Sequence, residues 1–425
     1  MSNPVTLGQG LIPAVASNGQ NGIVAYSSGS PLEVWAAHTA DGGASYSPAQ
    51  QVAVPSGTDA GTSGPALAYA PDGSAYMVHP DYATPVRSLW LAKYSGGQWQ
   101  ASRQITQQNS NAAAIAVTPD GTINIICHNV YASGTDSQVV HGASTDGGTT
   151  FQWQPISGRG SYGDSAALAV TSAGLVAYYC WGYAVYVAVP NGAAVKISAD
   201  GARCYWVKAV GTGATWQQAG GSIMYCKLGT ASPVTAAQVG AGEGAIYPTG
   251  VLSADGKATI YFIHGSSLLQ PDRAMTETEL ADYMAVPESY AALRLMSVTE
   301  QADSTFGQPV LVGTGAGRYS APYANGGILA YQHDANGWQI EAREIGSAPP
   351  PPPPPSGQDF QDVPVGHPLF EVAAWAKANH VASGYPCGGP NEPCVAPGNL
   401  PYLRYNEPIT ARRLLQILFN QAHSH

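Results

Sequence analysis

Four histidines fall at corresponding points of a repeating pattern. Each closes an apolar, strand-like stretch, in His79-Pro-Asp-Tyr82, His128-Asn-Val-Tyr131, His264-Gly-Ser and His333-Asp334. Tyr26, Trp181 and Tyr183 occupy the same point in other repeats, and Arg318 is the cation grouped with this set. Flat aromatic faces beside hydrogen-bonding side chains suit sugar rings, whose C–H groups stack and whose hydroxyls bond. The alternative is that a repeat reuses one residue type for packing. A metal centre is not expected, because repeats arranged in a ring hold these histidines apart, and no cofactor is expected either.

The elements that must position these groups are marked by turns. Asn18-Gly19, Asp72-Gly73, Asp120-Gly121, Ala173-Gly174, Asp255-Gly256 and Asn325-Gly326 each follow an apolar strand, and Gly211-Thr-Gly213 fills the long interval between the fourth and fifth. Seven units of about 40–55 residues result, the period of a propeller blade. The fourth unit divides into Ser165–Thr171, Leu175–Trp181, Ala184–Val189 and Ala194–Ser198. The last, Tyr319–Ile345, holds only three strands, and Pro4–Leu7 is expected to supply the fourth and close the ring, leaving no sheet edge exposed. The expected fold is therefore all-β, a seven-bladed propeller with six blades as the alternative. An insertion in the sixth unit, Met275–Met284, carries a capping pattern, Thr276 with Glu279, and reads as a short surface helix.

Two turns are more specific. Ser144-Thr-Asp-Gly-Gly-Thr-Thr-Phe151 places Asp146 to accept backbone N–H groups, Gly147 and Gly148 to supply positive φ, and Phe151 to re-enter the sheet. Thr39-Ala-Asp-Gly-Gly-Ala-Ser-Tyr46 repeats it conservatively around Asp41. Both resemble the Asp-box of sialidase-like β-propellers. That resemblance implies a blade-stabilising hairpin away from the active face. In such a ring the turns after first and third strands share one end. The ends of the second strands, with the histidines and aromatics above, then lie at the other.

Composition agrees with a turn-rich β protein: 425 residues with 50 glycines and 24 tyrosines, and only 10% charged. The net charge of −10 argues against nucleic acid and anionic membranes as partners. No apolar run approaches the ~18 residues that span a bilayer. The opening MSNPVTLGQG lacks the basic and apolar regions of a secretory signal. The expectation is a signal already removed, or an exit by another route, such as a phage particle. Cys127, Cys180, Cys204 and Cys226 sit in strands and read as buried free thiols. Cys387 and Cys394 bound a Pro/Gly-rich loop and read as a disulfide rather than half of a zinc site.

Residues 349–355 are seven consecutive prolines, a polyproline II spacer that divides residues 1–346 from 359–425 with a linker at 347–358. Beyond it, Phe360, Asp362, Val363, His367, Pro368, Gly384 and Tyr385 fall in a pattern that resembles an S-layer homology module. The family's T-R-A-Q is here Thr410-Ala-Arg-Arg413, which shifts the arginine to Arg412 or beyond. The resemblance implies docking to a cell-wall polymer. Such modules act in threes, so a homotrimer would restore the number.

Sialidase-like chemistry requires three arginines on a carboxylate, a Tyr–Glu pair and an acid/base aspartate. The first arginine's place, Gly10-Leu-Ile-Pro13, holds Leu11 instead. Arg159, Arg203, Arg273, Arg294 and Arg318 fall in no recognisable motif, and Glu288 and Tyr290 are the nearest Tyr–Glu combination. The expected function is thus a non-catalytic surface or virion protein. Its first domain binds glycans or partner proteins and its last docks or oligomerises. A glycoside hydrolase and a purely structural coat or tail component are the alternatives.

Overall fold

The computed structural model describes residues 2–52, 64–81, 87–106, 108–132, 136–161, 165–171, 174–189, 192–230, 232–240, 243–266, 293–315, 322–333 and 338–345. The chain divides into two units, Met1–Ala348 and Pro349–His425. The helix expected at Met275–Met284, the proline run, the cysteine loop and the module-like segment all lie outside the described residues, so those expectations are untouched.

Seven separate antiparallel sheets make up the first unit. Their innermost strands are Leu11–Asn18, Ala66–Tyr69, Ser110–Val117, Ala166–Thr171, Cys204–Val210, Glu243–Leu252 and Tyr323–Asn325. Each touches the next, and the last returns to the first. The result is a seven-bladed β-propeller, as the turn spacing predicts. The fourth blade, Ala166–Thr171, Gly174–Trp181, Ala184–Ala188 and Val195–Lys196, matches the sequence reading to within about a residue at most ends. The seventh is shared between the two ends of the unit. Val5–Gln9 pairs antiparallel with Gln339–Glu344 outside Ile328–His333 and Tyr323–Asn325. Tyr26 in blade 1 fastens this clasp from the side, its hydroxyl donating to the Leu7 carbonyl at 3.1 Å.

Blades adhere through apolar faces. Ala14, Ile23 and Ala36 of blade 1 pack with Leu67 and Met77 of blade 2, and Val78 and Leu89 of blade 2 with Ile115, Ile123 and Ile125 of blade 3. Small side chains on the inner strands let the blades converge. Four inner strands also share one irregularity: Ile12, Ala112, Trp206 and Tyr247 have positive φ, each inside a register shift near the strand's start. Such bulges bend a strand sharply, which turns its first residues toward the loops.

The two Asp-Gly-Gly turns connect third to fourth strands and have the same wiring. Ser144 Oγ donates to Asp146 Oδ1 at 2.7 Å and accepts from Gly148 N at 2.8 Å. Thr150 N and Oγ1 donate to the two Asp146 oxygens at 2.9 and 2.7 Å. In the copy, Thr39, Asp41, Gly43 and Ser45 repeat these bonds at 2.6, 3.0, 2.9 and 2.5 Å. Hydrogen bonds to the ionised form hold both carboxyls far below the usual carboxylate range. Asp72, Asp120, Asp255 and Asp303, in turns at the same end, are lowered in the same way, chiefly by side-chain hydroxyls.

Two outcomes follow. Removing residues 2–9 should lower stability on the order of 3 kcal/mol or more and broaden thermal unfolding, because it strips a paired strand and the Tyr26 anchor. Gly148→Ala should cost about 2 kcal/mol, since its φ is +82° and an added Cβ would sit 2.5 Å from Leu91 Cδ2. At Gly147 an added Cβ would meet only the Tyr76 hydroxyl, at an ordinary 3.8 Å, so Gly147→Ala should cost only the backbone strain, about 1 kcal/mol. Equal losses in urea melts of the two variants would contradict this account of the turn.

Candidate functional site

Strands alternate in direction within each blade, so the second-strand ends lie opposite the Asp-Gly turns. The structure separates the expected site residues into three groups. Tyr26, His79 and His128 are 3, 1 and 0% exposed. They are packing groups, and the expectation that they present a ligand surface is corrected. His128 Nε2 reaches the carbonyl of Ser165 at 3.1 Å, tying blade 3 to blade 4, and the Ser165 hydroxyl accepts from Val207 N at 2.8 Å, tying blade 4 to blade 5. His79 Nδ1 meets the Pro80 carbonyl at 3.3 Å. Burial holds both imidazoles at about 4, so both are neutral.

A second group is at least partly accessible and in contact with neighbouring side chains. His264 Nε2 lies 3.3 Å from Glu243 Oε2. His333 Nδ1 lies 3.2 Å from Glu341 Oε1. Arg159 grips Asp136 through Nε and Nη2 at 3.1 and 2.9 Å and stacks on Tyr131, its Cζ 3.9 Å from the ring centre. Tyr131 remains 39% exposed, its hydroxyl donating to Gln138 Oε1 at 3.1 Å. Tyr183, at φ +60°, meets Tyr205 edge-on, and the Arg203 guanidinium lies 5.7 Å from its ring centre. Tyr82, Arg318, Arg273, Glu288 and Tyr290 fall outside the described residues. Among the described residues, no three His, Cys, Asp or Glu side chains converge as a metal site would need, and Cys127, Cys180, Cys204 and Cys226 are free and buried.

The third group is one that sequence reading found only in part. Trp181 lines a cleft of about 490 Å³ between blades 3 and 4. Gln154, Pro155, Ile156, Ser157 and Gly158 form the blade 3 side; Tyr179, Trp181, Tyr186 and the small residues Gly192, Ala193 and Ala194 form the other. Tyr179 and Tyr186 face each other across strands and stack at 5.6 Å with 14° between planes, and Trp181 meets Tyr186 edge-on at 6.0 Å. The Tyr179 hydroxyl donates to the Ile156 carbonyl at 2.9 Å, pinning the cleft's base. Alternation was the available signal: Tyr179 and Trp181 are two apart and share a face. What covers that face is non-local.

Among the described residues Tyr331 and Glu341 form a Tyr–Glu pair. Tyr331 donates to Glu341 Oε2 and accepts from Arg343 Nη2, while Arg343 Nη1 reaches the Val312 carbonyl at 3.1 Å. Tyr331 is 2% exposed and its hydroxyl is raised by burial, then by the Glu341 bond.

No protein-family model matches the chain, and no curated protein matches it. Several solved structures are similar to it. The WD40 β-propeller domain of Doa1 is 9% identical with a TM-score of 0.47, covering 81% of this chain and 97% of its own. A Dyadobacter fermentans protein of unknown function is 13% identical at 0.45, covering 80 and 94%. The Trypanosoma rangeli sialidase, in complex with sialic acid, is 12% identical at 0.45, covering 93% of this chain and 60% of its own. The class defined by the sheets themselves is the seven-bladed β-propeller.

The buried histidines predict a pH dependence. His38, His79 and His128 are held at about 4, against ~6.5 in an unfolded chain. The unfolded state therefore takes up protons that the folded state refuses. Stability is full above about pH 6.5 and falls as pH drops toward 4. His128→Gln should flatten that slope by up to about 1.4 kcal/mol per pH unit in urea unfolding at graded pH; an unchanged slope would mean His128 titrates normally.

Proposed function

We propose that this chain is a non-catalytic binding protein whose propeller holds glycans or partner proteins at a cell surface or virion. Residues 359–425 dock or oligomerise it there, a trimer restoring the usual number of modules. One observation carries the reading of the propeller. At the end opposite the Asp-Gly turns, Arg159 is paired with Asp136, His264 lies beside Glu243 and His333 beside Glu341, while aromatic rings at Tyr131, Trp181 and Tyr183 stay accessible. Exposed rings of this kind stack on the apolar faces of ligands. The matched wiring of the turns around Asp41 and Asp146 supports their likeness to Asp-boxes, which stabilise blades.

A second reading, a glycoside hydrolase, is favoured by the Tyr331–Glu341–Arg343 cluster, the residue types of a sialidase nucleophile. Its burial counts against it, because Tyr331 is only 2% exposed.

The full chain on a glycan array, alongside a panel of fluorogenic glycosides, tests both. Glycan retention without hydrolysis is expected. Turnover abolished by Tyr331→Phe would establish the hydrolase instead, and neither retention nor turnover would leave the purely structural role.

A further inference from the structure

We infer that the cleft between blades 3 and 4 is a binding site for a neutral oligosaccharide of pyranose rings with equatorial hydroxyls. This rests on the reading that the propeller binds glycans, and it places the site in the gap between two blades.

Four observations carry it. First, blades are wedges, and they splay toward the rim. Here the gap is not filled: Gly192, Ala193 and Ala194 line it with almost no side chain. Its volume of about 490 Å³ falls inside the roughly 300–1,000 Å³ of small-molecule sites. Second, its wall is aromatic. Tyr179, Tyr186 and Trp181 form one packed group, and Tyr186 and Trp181 are half-buried, each leaving ring surface open. A pyranose with equatorial hydroxyls presents axial C–H groups on both faces, the apolar surface that packs on such rings.

Third, the cleft offers unengaged hydrogen-bonding groups at its sides. Among the described residues, the Gln154 amide and the Tyr186 hydroxyl line it and make no hydrogen bond. An amide is donor and acceptor at once, as is a phenol, which matches vicinal sugar hydroxyls. The Ser157 hydroxyl, by contrast, is already used, accepting from Val139 N at 2.8 Å and donating to the Gly158 carbonyl at 2.7 Å. The Trp181 indole N–H is shielded from solvent, so this residue contributes its ring.

Fourth, no lining residue is charged. The nearest cations are committed elsewhere, Arg159 to Asp136 at 2.9 Å and Lys196 to Asp200 at 2.5 Å. A carboxylated sugar would find no counter-ion and would lose hydration for nothing. The site thus selects neutral sugars over acidic ones.

The experiment uses the full chain, with cellobiose as the neutral probe and N-acetylneuraminic acid as the acidic one, followed by saturation-transfer NMR and on the glycan array. Cellobiose signals should appear and acidic ones should not. Ala193→Trp fills the cleft from an exposed position without touching the core, and Tyr186→Phe removes one hydroxyl. The first should abolish binding and the second should weaken it about tenfold, the size of one good stacking or hydrogen-bonding contribution. Array binding that survives both Ala193→Trp and Tyr186→Ala would overturn the cleft while leaving a glycan-binding propeller. Preference for the acidic sugar would overturn the selectivity argument. No glycan retained by the parent chain would remove both this inference and the reading beneath it.

Discussion

The pairing of Val5–Gln9 with Gln339–Glu344 is what makes one object of seven sheets. Six of the blades are complete within their own hairpins, and neighbours meet chiefly through side chains. Without a strand from the beginning of the chain, the seventh blade would end at Gln339–Glu344 with an unpaired edge, and the ring would have no covalent reason to close. The partners lie far apart in sequence: Ser2 and Glu344, bonded to each other, are separated by 342 residues. Loop closure over that distance is entropically costly and slow. The strength of the circle is therefore set by one antiparallel seam, with Tyr26 as its rivet.

Between blades the adhesive is apolar burial, helped by a few directed bonds that cross from one sheet to the next. Ser165 is the most connected, receiving His128 from one side and Val207 from the other. Ala324 N donates to Thr249 Oγ1 in the same manner between blades 6 and 7. These bonds give His128, Ser165 and Thr249 partners inside the interior. A buried polar group is tolerable only when it is paired.

The repeat and its closure were legible because their signals are local. Glycine after aspartate or asparagine at five of the seven first hairpins answers a backbone requirement and is visible wherever it occurs, and Gly211-Thr-Gly213 marks the turn between Cys204–Val210 and Gly213–Gln218. The three-strand seventh unit, too, forced the search for a fourth strand at the other end. The site was less legible, since position in a repeat does not fix exposure. His128 and Trp181 end equivalent strands, yet one is covered by the start of the next blade and the other borders a gap. Likewise Gln154 and Tyr186 lie on different blades, and no spacing links them. The Tyr–Glu pair was sought within a few residues along the chain, whereas Tyr331 and Glu341 are cross-strand partners.

The aspartates of the hairpins have an effect beyond their turns. Asp41, Asp72, Asp120, Asp146, Asp255 and Asp303 crowd one pole of the ring, and each resists protonation because hydroxyl and amide donors favour its ionised form. Those carboxylates therefore stay ionised even in mild acid. An anion that approaches them meets fixed negative charge. The turns that fold the blades thus also fix where that charge sits.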